Sequence, residues 1–378
     1  MRHSLISVTV SLAILVNGDS RTVNAQEPAT PPSRVSSQEP KPPFPYRVED
    51  VSIASAPGVR LAGTLTTPPG NGPFPGVVLV SGSGPHDRNG GGGAWKPFLV
   101  IADNLARHGI ATLRYDKRGH AQSTGDYAAS TSVDFADDAE AAVRFLRGRR
   151  EIARDRVGMI GHSEGGMIAP MVAARSDNVA FIILLAGPGL PGDSLMLLQV
   201  AARDVAAGRS PALDHELDEN RRLYAALRAA RDSDDAVVRL VAVQNEVVAT
   251  VPDSTRSESN QRLDRKRAIL LTPFWLYFSR YDPRPALRTV RVPVLALNGT
   301  LDVQVPYKAN LPEIEAALRA GGNRDYTIVE MPGLNHLFQM EAGVSPSEVS
   351  QIDEIFAPAA LDVIEKWITA RFARPIGR

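Results

Sequence analysis

Six short and mostly apolar runs alternate along the chain with longer stretches of mixed character. The runs are GVVLVSG (76–82), ATLRYD (111–116), RVGMIG (156–161), AFIILLAG (180–187), VPVLALNG (292–299) and YTIVEM (326–331). Continuous apolar runs of this length are typical of strands in a sheet that is covered on both faces. Most of the intervening stretches have helical patterns, so the alternation predicts an α/β fold with a mostly parallel sheet.

Two further segments precede these runs. RVEDVSI and VRLAGTLTTP flank Pro57-Gly58 and predict an antiparallel pair of strands. The clearest helix is predicted over 134–147, where one face carries Phe135, Ala139, Ala142, Val143 and Leu146.

About a hundred residues separate LLAGPG from VPVLALNG, far more than a normal crossover between strands requires. Leucines at helical spacing predict that this stretch is a helical cap inserted into a single α/β core. The predicted organisation is a first part of the core at 46–190, the helical cap at 191–290 and a second part of the core at 291–378.

The N-terminal region carries an export pattern. Basic residues precede an apolar run at 6–16, and Val23-Asn24-Ala25 offers small residues for cleavage, so 1–25 is predicted to be a signal peptide. An uncleaved N-terminal anchor is the alternative. The run is too short for an ordinary transmembrane helix, so we expect no stable membrane insertion and a periplasmic or secreted protein. Residues 26–45 are rich in Pro and Ser and predict an extended linker.

Composition excludes several classes of function. Equal numbers of basic and acidic residues, 42 each, give no overall field that would attract nucleic acid. The chain contains no cysteine, so it needs no disulfide and can form no metal site built on thiolates.

A serine lies between glycines directly after the third apolar run. Gly161-His162-Ser163-Glu164-Gly165 matches G-x-S-x-G, with a strand predicted before it and a helix after it. The glycines are expected because larger side chains would clash with neighbouring backbone in a tight strand-to-helix turn. A serine hydroxyl is a weak nucleophile, so Ser163 would need a base and an orienting acid.

The two runs nearest the C-terminus supply both groups. Asp302 follows one predicted strand in LNGTLDVQVP, and His336 follows the next in MPGLNHLFQ. The chain order Ser163, Asp302, His336 is the order expected for this architecture, and all three converge at the carboxyl edge of a parallel sheet. Asp193, after the preceding strand, is the alternative acid.

Acyl transfer also needs hydrogen-bond donors for an oxyanion. The backbone amide of Glu164, directly after the serine, is one candidate. The loop SGSGPHDRNGGGG after the first core strand should give the other, for which Ser83 is preferred over Gly84. His86 is expected to make a structural bond to this loop, and His162 to pack beside the nucleophile without sharing its chemistry.

From about Tyr46 onward the chain resembles bacterial α/β-hydrolase carboxylesterases with a serine-aminopeptidase-like core and a helical cap. The matching blocks are SGSGPHDRN, KPFLVIADNLARHGIATLRYDKRG, GHSEGG, YDPRPAL, LNGTLDVQVP and GLNHLFQ, in that order. The resemblance implies the α/β-hydrolase fold with Ser163 as nucleophile, His336 as base and Asp302 as acid. It departs from the family at Ala121, where glycine is expected.

Two clusters have two interpretations. The charged residues Asp87, Arg88, Asp116 and Arg118 could bind substrate, but an ion-pair network that braces the loops is favoured. The aromatic segment FWLYF (274–278) could line an acyl pocket or form the core of the cap, and the sequence favours neither.

The sequence therefore predicts an exported serine hydrolase that cleaves small-molecule carboxylic esters through an acyl-enzyme, with no metal or cofactor required. A serine aminopeptidase-like enzyme is the main alternative. It would need an anionic group in the cap to bind the substrate's ammonium, and the candidates are Glu216, Asp218, Glu219 and Glu246. A catalytically silent binding domain is the other alternative, although such proteins usually lack a member of the triad.

Overall fold

The computed structural model describes residues 36–91, 95–207, 211–340 and 354–372. The predicted signal peptide, 1–25, and residues 26–35 of the predicted linker lie outside these ranges.

Within the described residues, eight strands form one sheet. They are β1 (Arg47–Ala56), β2 (Val59–Thr67), β3 (Phe74–Val80), β4 (Ala111–Tyr115), β5 (Ile152–His162), β6 (Ile182–Leu185), β7 (Val294–Gly299) and β8 (Tyr326–Met331). Their order across the sheet is β1-β2-β4-β3-β5-β6-β7-β8. The β1–β2 and β2–β4 pairs are antiparallel and the other pairs are parallel. The predicted α/β class, the mostly parallel sheet and the antiparallel start are confirmed.

Helices cover both faces of the sheet and fill the long gap between β6 and β7. Those associated with the core are α1 (Pro97–Arg107), α2 (Ser132–Arg147), α3 (Glu164–Ala173), α10 (Tyr307–Ala320) and α11 (Pro358–Phe372). Those in the gap are α4 (Gly192–Ala207), α5 (Pro211–Ala229), α6 (Ser233–Ala249), α7 (Asp253–Leu270), α8 (Pro273–Phe278) and α9 (Arg284–Thr289). The predicted helix at 134–147 begins two residues earlier, because Thr131 and Asp134 form a reciprocal capping box around its first turn.

The two faces of the sheet bury separate apolar clusters, because successive side chains of a strand point in opposite directions. On β3, Val78 packs in the cluster that contains Phe135 of α2. Its neighbour Val77 packs in the cluster that contains Ile101 of α1 and Ile364 of α11. Burial of each such side chain contributes about 1.5–3 kcal/mol relative to exposure. Continuous apolar strands are therefore needed for this architecture.

A third apolar cluster forms the core of the helical insertion and extends to the main core. Its buried members include Leu223, Leu227, Leu240, Leu263, Leu270, Trp275 and Phe278. Met167 of α3 and Val305, after β7, belong to the same cluster. Trp275 and Phe278 are therefore packed within the core of the insertion, which is one of the two interpretations of the segment FWLYF.

Residues 36–45 form neither helix nor strand, as the linker prediction expects, but they are held against the core. The Gln38 side chain donates to the Phe356 carbonyl at 2.9 Å and accepts the Ile355 N–H at 2.6 Å. Glu39 accepts a hydrogen bond from Lys96 at 2.5 Å. This part of the linker is thus bound to the core, at the residues that precede α11 and at Lys96.

Candidate active site

Ser163 occupies a tight turn between β5 and α3, with φ 55° and ψ −117°. A Cβ atom on Gly161 would lie 2.0 Å from the Gly165 carbonyl oxygen, and one on Gly165 would lie 2.1 Å from the Val80 carbonyl oxygen. Both distances are far below contact, so only glycine fits on either side of the serine. The steric explanation of the G-x-S-x-G pattern is confirmed.

Asp302 and His336 lie in the loops after β7 and β8, and their side chains meet. His336 Nδ1 lies 2.8 Å from Asp302 Oδ2, with both side chains buried. The other oxygen, Oδ1, accepts the N–H groups of Gln304 and Val305, each at 2.8 Å. These bonds fix the carboxylate, and its Oδ2 is placed to accept a hydrogen from His336 Nδ1.

The alternative acid, Asp193, is engaged elsewhere. Its carboxylate pairs with Arg228 of α5 at 2.7 Å and accepts the Ser194 N–H at 2.6 Å. Asp193 therefore anchors the start of α4 to the next helix.

The ring of His162 connects the serine turn to the His336 loop. Its Nε2 donates to the His336 carbonyl at 2.9 Å, and the two ring centroids are 4.9 Å apart. Burial, together with the neighbouring His336, lowers the pKa of His162 to about 3, so this ring is neutral near pH 7. Asp302 and His336 are hydrogen-bonded to each other directly. Ser163 is connected to them through His162, the residue before it in the chain, which bonds to His336. Among the described residues no hydrogen bond is made by the Ser163 hydroxyl, a looseness common in enzymes without substrate.

The two predicted oxyanion donors lie around Ser163. A Cβ on Gly82 would be 3.2 Å from Ser163 Cβ, so the loop after β3 runs directly beside the serine. The N–H of Ser83 meets no acceptor within the described residues. Glu164 is the first residue of α3, so its N–H has no intrahelical partner.

The rest of this loop is fixed by hydrogen bonds. His86 Nε2 lies 2.8 Å from the Ser83 carbonyl, so the structural bond predicted for His86 is present. Burial raises the pKa of Tyr127, and a backbone hydrogen bond from Gly84 opposes that effect.

The nearby charges form ion pairs that brace the loops. Arg88 binds Asp116 through two hydrogen bonds, with Nε–Oδ1 at 3.0 Å and Nη2–Oδ2 at 2.8 Å. Arg118 binds Asp138 of α2 in the same way, at 2.7 and 2.8 Å. Asp87 accepts the N–H two residues ahead in its own loop. Arg88, Asp116 and Arg118 therefore lie in ion pairs, as the favoured interpretation predicts, whereas Asp87 bonds to Asn89 within its own loop.

Lys117 is a residue of this region that the sequence analysis did not single out. Its ammonium donates to the Gly82 carbonyl at 2.7 Å and to Glu164 Oε2 at 2.9 Å, and it lies 4.3 Å from the centre of the Phe135 ring. The second carboxylate oxygen of Glu164 accepts the Ser132 hydroxyl at 2.7 Å. The Lys117 and Glu164 side chains are only 3% and 0% exposed. The available signal was a lysine placed just after the fully buried strand β4.

Ala121, where the family resemblance expects glycine, adopts φ 49°. This left-handed conformation is the one that glycine adopts without strain, which explains the expectation.

Two acidic residues of the insertion, Glu219 and Glu246, are paired with cations. Glu219 of α5 binds Arg262 through both oxygens and Lys266 at 2.9 Å, both from α7. Burial raises the pKa of Glu219, but these cations outweigh it and hold the pKa below its ordinary value. Glu246 pairs with Arg222 at the surface.

In the part of the chain that the structure describes, no group of three or more His, Cys, Asp or Glu side chains is arranged to hold a metal ion. Nor does any helix in the same ranges have the length and apolar character required to cross a bilayer.

Comparison with known protein families and structures agrees with this fold. The model of the Alpha/beta hydrolase family matches residues 77–351. Among solved structures, an esterase of Pyrococcus furiosus aligns over 87% of this chain and 92% of its own, with a TM-score of 0.52 and 15% identity. The alpha/beta hydrolase GrgF from Penicillium sp. sh18 aligns over 87% and 100%, with a TM-score of 0.51 and 17% identity. At these identities the likeness shows the fold alone.

Two curated relatives match shorter regions. The esterase EstD of Thermotoga maritima is 35% identical over 151 residues, which are 40% of this chain and 35% of EstD. The peroxisomal succinyl-coenzyme A thioesterase of Mus musculus is 31% identical over 149 residues, 36% of this chain and 31% of that protein. The matched region thus spans about a third of each relative.

Proposed function

The chain belongs to the alpha/beta hydrolase family, whose model covers well over half of it, and from that premise we propose that it is a serine carboxylesterase. The hydrogen bond between His336 Nδ1 and Asp302 Oδ2, beside the turn that carries Ser163, is the observation that supports this proposal most strongly. Similarity to an esterase and to a thioesterase supports acyl transfer as the reaction class.

In the proposed reaction, Ser163 Oγ attacks the carbonyl carbon of an ester while His336 Nε2 takes the hydroxyl proton. Asp302 stabilises the imidazolium that forms and keeps the ring oriented. The tetrahedral oxyanion accepts hydrogen bonds from the Ser83 and Glu164 amides. His336 then protonates the departing alcohol. Water, deprotonated by the same histidine, releases the carboxylic acid and restores the serine.

The proposed substrates are small-molecule esters with small to medium acyl groups. The insertion shares one apolar cluster with Met167 and Val305, which lie four residues after Ser163 and three after Asp302. Apolar surroundings of this kind, close in sequence to Ser163 and Asp302, favour acyl chains over charged groups.

The peptidase alternative has less support from the charges of the insertion. Glu219 is bound by two cations and Glu246 by one. Glu219 and, to a smaller extent, Glu216 raise the pKa of Arg262. Asp218 is exposed on α5. An anionic group that binds a substrate ammonium should instead be free of protein cations and close to the serine.

The test is fluorophosphonate labelling followed by hydrolysis assays on panels of acyl esters and aminoacyl amides. Wild-type protein should label once and prefer esters, whereas Ser163→Ala should lose labelling and lower kcat by about 10⁴-fold or more. Ser257→Ala, at an exposed serine of α7, is the matched control and should behave as wild type. Labelling that survives in Ser163→Ala would show that the nucleophile is a different residue, and release of N-terminal amino acids with inert esters would favour the peptidase.

We also propose that the protein is exported to the periplasm or secreted, on the basis of the predicted signal peptide at 1–25. N-terminal sequencing of protein recovered from the periplasm or medium should begin at Gln26. Recovery of the full-length chain in the membrane fraction would instead indicate an uncleaved anchor.

A further inference from the structure

One buried ammonium joins both backbone segments of the oxyanion site. Lys117 donates to the carbonyl of Gly82, which precedes Ser83, and to the carboxylate of Glu164. Ser83 and Glu164 are the two residues whose amides would bind the oxyanion in the proposed reaction. The loop after β3 and the first turn of α3 are distant in sequence and pack against each other beside Ser163.

The bond to Gly82 determines where the Ser83 N–H points. The Gly82 carbonyl and the Ser83 N–H belong to one peptide unit, and this unit is trans, since the cis bonds of the described residues precede Pro43 and Pro73. In a planar trans peptide the C=O and N–H point in opposite directions. A carbonyl held by Lys117 at 2.7 Å therefore holds the N–H on the opposite side of the peptide, and a Cβ atom on the adjacent Gly82 would lie 3.2 Å from Ser163 Cβ.

The charge of Lys117 also acts on the same peptide. A hydrogen bond from a cation to a carbonyl draws electron density toward the oxygen and makes the N–H of that unit a stronger donor. The effect is large where water is excluded, and the Lys117 side chain is 3% exposed. A neutral hydrogen bond from His86 fixes the next carbonyl, that of Ser83, at 2.8 Å.

Glu164 fixes the position of the ammonium in turn. Its carboxylate binds Lys117 through one oxygen and the Ser132 hydroxyl of α2 through the other. The face of the Phe135 ring closes another side of the ammonium at 4.3 Å. The lysine thus has few other positions available, which is the requirement for a group that must orient a peptide.

We propose that Lys117 is a positioning residue of the oxyanion site, which orients and polarises the Gly82–Ser83 peptide so that the Ser83 amide stabilises the transition state. The proposal rests on the proposed function, since it assumes that Ser163 undergoes attack chemistry at this site. In this proposal the ion pair between Lys117 and Glu164 orients a peptide group of the site as well as stabilising the fold.

The test compares Lys117→Met with two further variants. The double variant Lys117→Met/Glu164→Gln removes both charges, so that no unpaired carboxylate remains buried when the lysine is lost. Lys266→Met is the matched control, because Lys266 also donates to a buried glutamate at 2.9 Å but contacts no part of the serine site. Each variant is measured for melting temperature, for kcat and KM on a p-nitrophenyl ester, and for the rate of fluorophosphonate labelling at Ser163.

We expect Lys117→Met to lower kcat and the labelling rate by about 10- to 100-fold, with KM changed less than about twofold, because an oxyanion donor acts in the transition state. The double variant should regain melting temperature but not kcat or labelling rate. Lys266→Met should lose melting temperature and keep its kcat.

Recovery of kcat together with melting temperature in the double variant would overturn the proposal, as would equal kcat for Lys117→Met and Lys266→Met. The labelling rate separates this result from a failure of the proposed function. Wild-type protein that labels at Ser163 but hydrolyses no ester would refute the esterase, while the comparison of labelling rates would still decide the role of Lys117.

Discussion

The edge of the sheet and the helical insertion each contain a buried lysine–glutamate pair, and the two pairs differ in what else they bind. Lys117–Glu164 and Lys266–Glu219 have the same nitrogen–oxygen distance, 2.9 Å, and both carboxylates are at most 1% exposed. At the sheet edge the lysine also donates to the backbone carbonyl of Gly82, beside Ser163. In the insertion the glutamate also binds the guanidinium of Arg262.

The role of a buried ion pair depends on the groups that it contacts besides its own partner. The cost of removing two charges from water can exceed their mutual attraction, so such a pair alone is weak evidence for stability. In the insertion, Glu219 of α5 binds Arg262 and Lys266 of α7, so this pair holds two helices together. The pair at the sheet edge fixes the Gly82–Ser83 peptide, which lies beside Ser163.

The largest expected effect comes from Asp302→Asn at the sheet edge. Oδ1 can keep its two backbone N–H bonds, but the new amide group would donate to His336 Nδ1 and force the hydrogen onto Nε2. That tautomer cannot accept the serine proton, so kcat should fall by about 10⁴-fold while the free energy of unfolding changes by less than about 1 kcal/mol. Steady-state kinetics and urea unfolding measure the two quantities.

The control is Asp193→Asn, which should keep the kcat of wild type because Asp193 pairs with Arg228. The reverse result, in which only Asp193→Asn loses activity, would identify Asp193 as the acid and contradict that role for Asp302.

The next effect is in the insertion and concerns stability. Glu219→Gln leaves Arg262 and Lys266 without their carboxylate, and the free energy of unfolding should fall by about 3 kcal/mol. Glu246→Gln breaks a pair in which Glu246 is 65% exposed, and the loss should stay below about 1 kcal/mol. Both variants should retain kcat when folded. A fall in kcat for Glu219→Gln would show that the insertion pair also serves the site.

The pH dependence of stability has a defined sign for this pair. Burial raises the pKa of Glu219, but Arg262 and Lys266 outweigh it, so the folded pKa lies below the ordinary value of 4.5. The stabilisation is therefore complete above pH 4.5 and is lost as the pH falls through the folded pKa. Urea unfolding of wild type against Glu219→Gln should converge as the solution is made more acidic.

The smallest expected effect is at Ala121, in a loop at the sheet edge. Its φ of 49° strains a residue with a Cβ, whereas glycine adopts this conformation freely at some entropic cost. Ala121→Gly should raise the free energy of unfolding by about 0.5 kcal/mol and leave kcat unchanged. Ala128→Gly, at an exposed position without positive φ, should lower stability by a similar amount; a gain there would show that strain is not the cause.

The sequence was sufficient to predict the strands, because a sheet buried on both faces demands apolar runs such as those of β6 and β7. It was less informative for the start of β5. Ile152 pairs with Phe74, but an irregular register follows, and the polar residues at this bulge hide the strand from an apolar pattern.

Parts of the site were predictable to different degrees. The Asp302–His336 contact follows from topology, since loops after parallel strands share one edge. Lys117 was not predicted, because a lysine between Asp116 and Arg118 has the appearance of a solvated charge run. In the folded structure the Lys117 ammonium instead points inward and donates to the Gly82 carbonyl.

The seclusion of the Lys117 amine has a practical consequence for handling the protein. The chain has six lysines, of which Lys41, Lys308 and Lys366 are exposed. Reagents that acylate or cross-link amines, and solid supports that couple to them, will react at such outer positions. Protein attached to a resin in this way should retain the Lys117 ammonium, bound to Gly82 and Glu164, in its native chemical form.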